Sequence, residues 1–218
     1  MRPLAEAFAN AGFSVEMPLL PGHGTAVEDM IPLRFEDFSG ATEAAYLELS
    51  NRSDKTIVAG LSMGGTLTCW LASRHPEIAG IVLVNPLVAP AADSFRDILT
   101  GSIAAGLDRI PGIGSDIAKE GVTELAYEST PLEPMISLFD AVAELAGHLN
   151  EIRCPALLLQ SREDHVVPAE SGDLFVEATG GPVERIWLDH SYHVATLDND
   201  SEEIEKRSLG FAHEIFES

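Results

Sequence analysis

The segment Gly60-Leu61-Ser62-Met63-Gly64 matches the pattern G-x-S-x-G. A short apolar, β-branched segment, Lys55–Ala59, precedes it and is typical of a buried strand. The apolar segment Thr66–Arg74 follows it and is typical of a packed helix. Ser62 is therefore predicted to lie where a strand turns sharply into a helix, a geometry that pushes the serine hydroxyl out of the fold.

Three neighbours of Ser62 have predicted roles in this turn. Gly60 and Gly64 are expected to keep the tight bend free of side chains that would block it. The backbone N–H of Met63 is expected to point from the helix N-terminus toward an oxyanion that forms beside Ser62. A chance glycine-rich turn would also match five residues, but the strand before it and the helix after it favour a nucleophile.

Strands and helices alternate along both ends of the chain, which predicts an α/β fold with a mostly parallel sheet covered by helices on both faces. The predicted strands are Phe13–Met17, Lys55–Gly60, Gly80–Val84, Ala156–Leu159 and Val183–Leu188. The predicted helices are Pro3–Ala11, Phe35–Leu49, Thr66–Arg74, Ala169–Ala178 and Ser201–Phe216.

This alternation stops in the middle of the chain. Residues 87–150 lack strand patterning, and their clearest feature is an amphipathic helix over Met135–Leu149. A simple crossover between strands needs only about a dozen residues. The segment is therefore predicted to be an inserted helical cap, which divides the chain into core residues 1–86, cap residues 87–150 and core residues 151–218.

Composition limits the partners of this protein. Its 218 residues include 35 acidic and 13 basic side chains, giving a formal net charge of −22. Such a surface repels nucleic acid and anionic membranes, so neither is an expected partner. No segment is typical of stable membrane insertion, and the two cysteines favour a reduced, cytoplasmic setting. No residue spacing indicates a metal or a cofactor, and the sequence does not define the oligomeric state.

A serine needs a base to take its proton, and a carboxylate must orient that base. In a parallel sheet such groups lie just beyond the carboxyl ends of strands. Asp164 follows the predicted strand Ala156–Leu159, and His193 follows the predicted strand Val183–Leu188. The resulting chain order of serine, acid and histidine is the one expected for G-x-S-x-G enzymes. We therefore predict a Ser62–His193–Asp164 triad.

Each candidate has a rival nearby. Glu163 could replace Asp164 as the acid, but Asp164 is favoured because it lies nearer the turn that follows. His190 could replace His193 as the base, but His193 is favoured because it lies deeper in its loop. His165 is adjacent to the predicted acid, so its side chain is expected to point elsewhere. His23, between two glycines, is favoured as a structural residue over a site residue. A group of acids is expected to start and solubilise the last helix rather than to bind metal: Asp198, Asp200, Glu202 and Glu203.

Four segments together resemble the α/β-hydrolase superfamily, and most closely its small bacterial carboxylesterases and monoacylglycerol lipases. They are Pro-Leu-Leu-Pro-Gly-His-Gly at 18–24, Ala-Gly-Leu-Ser-Met-Gly-Gly at 59–65, Ser-Arg-Glu-Asp-His-Val-Val-Pro at 161–168 and Ser-Tyr-His-Val-Ala-Thr-Leu-Asp at 191–198. The resemblance implies a serine esterase with a small cap over its acyl pocket. It also implies that the substrate is a small neutral ester or a monoacylglycerol.

One departure from that family concerns the N-terminus. Members begin with strands that precede the first helix seen here, and one of these strands leads into a His-Gly loop that supplies a second oxyanion N–H. We expect these strands to be missing from the 218 residues, together with that donor. The absent strand would lie between Phe13–Met17 and Lys55–Gly60.

Other functions use the same residues or the same fold. A non-catalytic binding protein or a truncated, inactive remnant would keep the fold without the chemistry. An acyltransferase or a thioesterase would use the same triad and the same acyl-enzyme. A complete triad favours catalysis, because a binding module does not need all three groups.

Overall fold

The computed structural model describes residues 1–217. The strands are β1 (Ile57–Leu61), β2 (Gly80–Val84), β3 (Arg109–Pro111), β4 (Ser129–Pro131), β5 (Ala156–Ser161) and β6 (Val183–Leu188). The helices are α1 (Arg2–Asn10), α2 (Val27–Met30), α3 (Phe35–Ser50), α4 (Met63–Arg74), α5 (Asp93–Ala104), α6 (Leu132–Ala146), α7 (Glu170–Ala178) and α8 (Ser201–Glu217). The main sheet has the order β1-β2-β5-β6, and its strands pair in parallel.

Side chains of the central strands alternate between two apolar layers, which explains why helices cover both faces. On β2, Ile81 and Leu83 join a core cluster formed mainly with α3, α4 and α7. Val82 and Val84 join the opposite cluster, with α1 and α8. All four side chains are fully buried, as expected for a strand in the middle of a parallel sheet. The predicted α/β fold is confirmed.

The predicted strand over Phe13–Met17 is wrong, because these residues form no strand in the structure. A cleft of about 600 Å³ separates them from β1, which leaves them without a ladder partner. Within the described residues, β1 pairs only with β2. Thr56 and Ser62 bond toward β2. By the alternation of a strand, Ile57, Ala59 and Leu61 therefore present their backbone groups to the cleft.

Residues 87–150 leave the sheet between β2 and β5. They form α5, an antiparallel pair of short strands, β3 and β4, and α6. The β3–β4 pair was not predicted, because each strand has only three residues and contains or ends in proline. Helix α6 begins at Leu132, three residues before the predicted helix start at Met135. Its Val142 and Leu145 are buried. Leu145 packs in the same core cluster as the strands, so the insertion is anchored to the core.

Candidate active site

Ser62 occupies the strained turn between β1 and α4. Its backbone has φ +54° and ψ −118°, and positive φ is uncommon for a residue with a side chain. The Ser62 N–H donates to the Val84 carbonyl at 3.1 Å, while its own carbonyl accepts from Gly65 N at 2.9 Å. These bonds fix the turn at both ends, because strain of this kind persists only where the surroundings impose it. Met63 is the first residue of α4, so the helix begins three residues before the predicted start at Thr66.

Two glycines make the turn possible, and one of them differs from the prediction. A Cβ on Gly60 would overlap the Gly64 carbonyl oxygen and lie 2.6 Å from Thr68 Oγ1. A Cβ on Gly64 would meet nothing within 4 Å, so the prediction that Gly64 keeps the bend clear is wrong. Gly65 has that role, since its Cβ would lie 2.6 Å from Pro86 Cβ. The sequence pattern names the glycine one position too early.

Asp164 and His193 form a buried pair at the carboxyl ends of β5 and β6. His193 Nδ1 lies 2.8 Å from Asp164 Oδ2, and the two side chains are only 7% and 5% exposed. A carboxylate accepts only, so the ring donates its Nδ1–H and leaves Nε2 free to act as a base. Asp164 Oδ1 accepts from Val166 N and Val167 N, both at 2.8 Å. The carboxylate is thereby fixed on both oxygens.

The rival residues lie elsewhere. Glu163 and His190 are exposed, and the His190 N–H donates to Asp200. His165 turns away from the Asp164 carboxylate, and its ring Nδ1 lies 2.8 Å from Asp116 Oδ1. His23 lies on the wall of the Ser62 cavity, with Nδ1 3.1 Å from the Pro21 carbonyl oxygen. Its ring packs edge-to-face on Phe38, which supports the structural role favoured for it.

Ser62 and His193 open into one cavity of about 540 Å³. The inserted residues supply much of its wall, including Ile113, Glu124 and Tyr127. Burial raises the pKa of Glu124 above its usual value, and the attraction to His193 offsets only part of that rise. The cavity therefore combines a mostly apolar wall with two acidic residues, Asp116 and Glu124.

Asn85 is a residue of this region that the sequence did not single out. It directly follows β2, has φ +44° and is 2% exposed. Its Nδ2 donates to the His193 carbonyl at 2.8 Å and to Ser161 Oγ at 3.0 Å, while its Oδ1 accepts from Ser161 N at 2.8 Å. The available signal was an asparagine just beyond a fully apolar strand, at the same sheet edge as the two triad candidates.

Replacing Asn85 with alanine is expected to lower the free energy of unfolding by about 2 kcal/mol or more. The buried Ser161 N–H and His193 carbonyl would each lose a partner, and each unsatisfied group costs about 1–3 kcal/mol. Urea unfolding measures the change. Asn51→Ala, at the exposed end of α3, is the control and should alter stability little. A wild-type free energy of unfolding for Asn85→Ala would contradict the prediction.

Asp198 differs from the prediction made for the acidic group as a whole. Its carboxylate is fully buried and accepts four backbone N–H bonds at 2.7–2.8 Å, from Ala118, Lys119, Tyr192 and Asn199. It therefore joins loops rather than solubilising a helix. Glu202 and Glu203 do lie in the first turn of α8, as predicted. Among residues 1–217, no group of His, Cys, Asp and Glu could hold a metal ion, and no helix has the length and apolar character needed to cross a membrane.

A parallel sheet with a serine at a strand–turn–helix elbow, and with a carboxylate–histidine pair at the same sheet edge, defines an α/β-hydrolase class of protein. Comparison with known proteins agrees. The model of the alpha/beta hydrolase family matches residues 1–207, so the chain belongs to that family. The predicted resemblance is confirmed.

Known relatives of the chain are lipases and esterases. It is 44% identical over 212 residues to a thermostable monoacylglycerol lipase of Bacillus sp. (strain H-257), covering 97% of this chain and 84% of that protein. It is 25% identical to a carboxylesterase of Bacillus subtilis (strain 168), covering 99% and 87%. A structure reported with the metagenome-derived lipolytic enzymes LipS and LipT superposes with a TM-score of 0.93 at 44% identity, covering 98% of this chain and 87% of that one.

Proposed function

We propose that this protein is a serine hydrolase of carboxylic esters that acts through an acyl-enzyme on Ser62. The observation that carries the proposal is the buried hydrogen bond of 2.8 Å between Asp164 and His193, together with the cavity that His193 shares with Ser62. Similarity to a monoacylglycerol lipase at 44% identity supports esters as the substrate class. Small neutral esters and monoacylglycerols are the proposed substrates, and no cofactor is needed for this chemistry.

The proposed reaction has two halves, acylation and deacylation of Ser62, and every triad residue acts in both. Ser62 Oγ attacks the ester carbonyl while His193 Nε2 takes its proton, and the tetrahedral intermediate then expels the alcohol, which receives that proton. Water attacks the acyl-enzyme with His193 again as base, which releases the acid and restores Ser62. Asp164 holds the ring and stabilises the imidazolium. The Met63 N–H is proposed as one donor to the oxyanion, since the first N–H groups of a helix lack intrahelical partners.

Residues 87–150 are proposed to act as the cap of this site, between core residues 1–86 and 151–218. Support comes from the cavity wall, to which the insertion contributes Gly112, Leu125 and Thr130 beside Ser62. Apolar side chains on this wall would hold an acyl chain, because burying them removes apolar surface from water. Glu124 offers a polar acceptor on the same wall.

A cytoplasmic setting is also part of the proposal. Cys69 and Cys154 are free thiols, which are typical of reducing compartments. Burial raises the pKa of Cys154 to about 11 and raises that of Cys69 well above its usual range. Both thiols therefore stay protonated near neutral pH and have a structural role.

Covalent labelling tests the nucleophile. A fluorophosphonate probe reacts with an activated serine hydroxyl, so it is expected to label Ser62, as located by mass spectrometry of the labelled peptide. Ser62→Ala should abolish both labelling and the hydrolysis of p-nitrophenyl butyrate and of a medium-chain monoacylglycerol. Ser53→Ala, on the loop before β1, is the matched control and should label normally. Labelling at another serine would refute the assignment of Ser62.

A further inference from the structure

Asp116 connects the insertion to both loops that carry the proposed acid and base. It lies between β3 and β4, and its side chain is only 15% exposed. Its Oδ2 accepts from the backbone N–H of His193 at 3.0 Å and from that of His165 at 3.2 Å. Its own carbonyl accepts from Val194 N at 3.1 Å. One residue of the insertion therefore bonds the backbone of the proposed base, of the residue after it and of the residue after Asp164.

The second oxygen of Asp116 is also occupied. Its Oδ1 lies 2.8 Å from His165 Nδ1, and this ring packs edge-to-face on Tyr192 with centroids 4.6 Å apart. The hydrogen bond to Asp116, together with the charge of that carboxylate, raises the pKa of His165 and favours the donating form of the ring. The His165 ring thus limits rotation of the Asp116 carboxylate, because turning it would break the contacts on both oxygens.

Contacts in the opposite direction join the same two segments. The buried Asp198 carboxylate, from the loop of the base, accepts from Ala118 N at 2.7 Å and from Lys119 N at 2.8 Å in the insertion. It also accepts from Tyr192 N, next to the base. Each segment therefore supplies one carboxylate to backbone N–H groups of the other. Reciprocal bonding of this kind fixes their separation more firmly than one carboxylate could.

We propose that Asp116 is a positioning residue that holds the His193 and Asp164 loops in catalytic register from the insertion. The proposal rests on the proposed function, because it concerns the geometry of that triad. Asp116 touches the backbone of His193 and not the reacting atoms, so its effect passes through the orientation of the imidazole. A shift of about 1 Å in a catalytic group can cost of the order of 10²-fold in rate.

The test compares Asp116→Ala with Asp140→Ala. Removing the Asp116 carboxylate leaves the backbone N–H groups of His193 and His165 without their acceptor, whereas an asparagine could keep its oxygen on both. We expect kcat on p-nitrophenyl butyrate to fall about 10- to 100-fold, with KM changed less than about threefold. The rate of fluorophosphonate labelling at Ser62 should fall in parallel. Asp140, also in the insertion but paired with Arg96 at the surface, should show wild-type values when replaced.

Two measurements keep the outcomes distinct. Circular dichroism melting fixes an assay temperature at which each variant is folded. If Asp116 had a purely structural role, its replacement would lower the melting temperature but leave kcat unchanged at that assay temperature. That result would overturn the proposal. If Asp116→Ala does not fold, His165→Ala decides, with an expected kcat loss of several-fold and a wild-type kcat as the opposing result. Activity that survives in Ser62→Ala would instead refute the proposed function, whatever Asp116 does.

Discussion

Replacement of His193 by alanine is expected to lower kcat by about 10³-fold or more, the scale found when one member of a triad is removed. Without the imidazole, the proposed base for the Ser62 proton is lost, and the Asp164 carboxylate is left buried without its partner. Because substrate binding depends mainly on the cavity wall, KM should change much less than kcat. Steady-state kinetics on p-nitrophenyl butyrate measures both constants.

His190→Ala is the matched control, since His190 lies three residues away in the same loop but is exposed. Its side chain takes no part in the Asp164 contact, so kcat should stay close to the wild-type value. Asp164→Ala should resemble His193→Ala, and the double variant should be little worse than either single one, because residues that act as a unit are not additive. A larger loss for His190→Ala than for His193→Ala would assign the base to His190.

The sequence predicted the main sheet and the places of Ser62, Asp164 and His193 because each depends on a local pattern. Buried parallel strands are continuous apolar runs, as in Gly80–Val84, and side chains placed just beyond such runs converge at one edge of the sheet. Predicting these strands and site positions required no knowledge of contacts between residues that are distant in sequence. Within the predicted triad, the structure adds the 2.8 Å Asp164–His193 bond, whose length no sequence pattern specifies.

Features that depend on distant contacts could not be predicted. Phe13–Met17 alternates as a strand does, yet its conformation depends on a neighbour across the cleft beside β1. Asp116 lies in an irregular segment, and its contacts with His165 and His193 span 49 and 77 positions of sequence. The burial of Asp198 has the same origin, since two of the N–H groups that donate to its carboxylate, those of Ala118 and Lys119, come from a loop about 80 residues earlier. The sequence pattern therefore did not single out Asp116 and placed Asp198 in the acidic group at the start of the last helix.

The elbow glycines show most directly how the structure corrects the pattern. In the sequence Gly60 and Gly64 are equivalent flanks of Ser62, whereas in the structure only Gly60 lies where a side chain has no room. Gly64 is in the first turn of α4, with open space on its Cβ side. The pattern marks where the turn is and does not distinguish a glycine required by sterics from one that is merely tolerated.

Gly60→Ala is therefore expected to damage both stability and activity. The new methyl would overlap the Gly64 carbonyl oxygen and crowd Thr68 Oγ1, so α4 would have to move away from β1. Overpacking of this kind costs about 1–3 kcal/mol or more, and the movement would carry Ser62 with it, at a cost of the order of 10²-fold in kcat.

Gly64→Ala meets no such contact and gains helix propensity of up to about 1 kcal/mol, so it should unfold at wild-type or slightly higher urea concentration. Urea unfolding and kcat, measured side by side on the two variants, test this ordering, and a Gly64→Ala variant less stable than Gly60→Ala would show that the elbow is built differently.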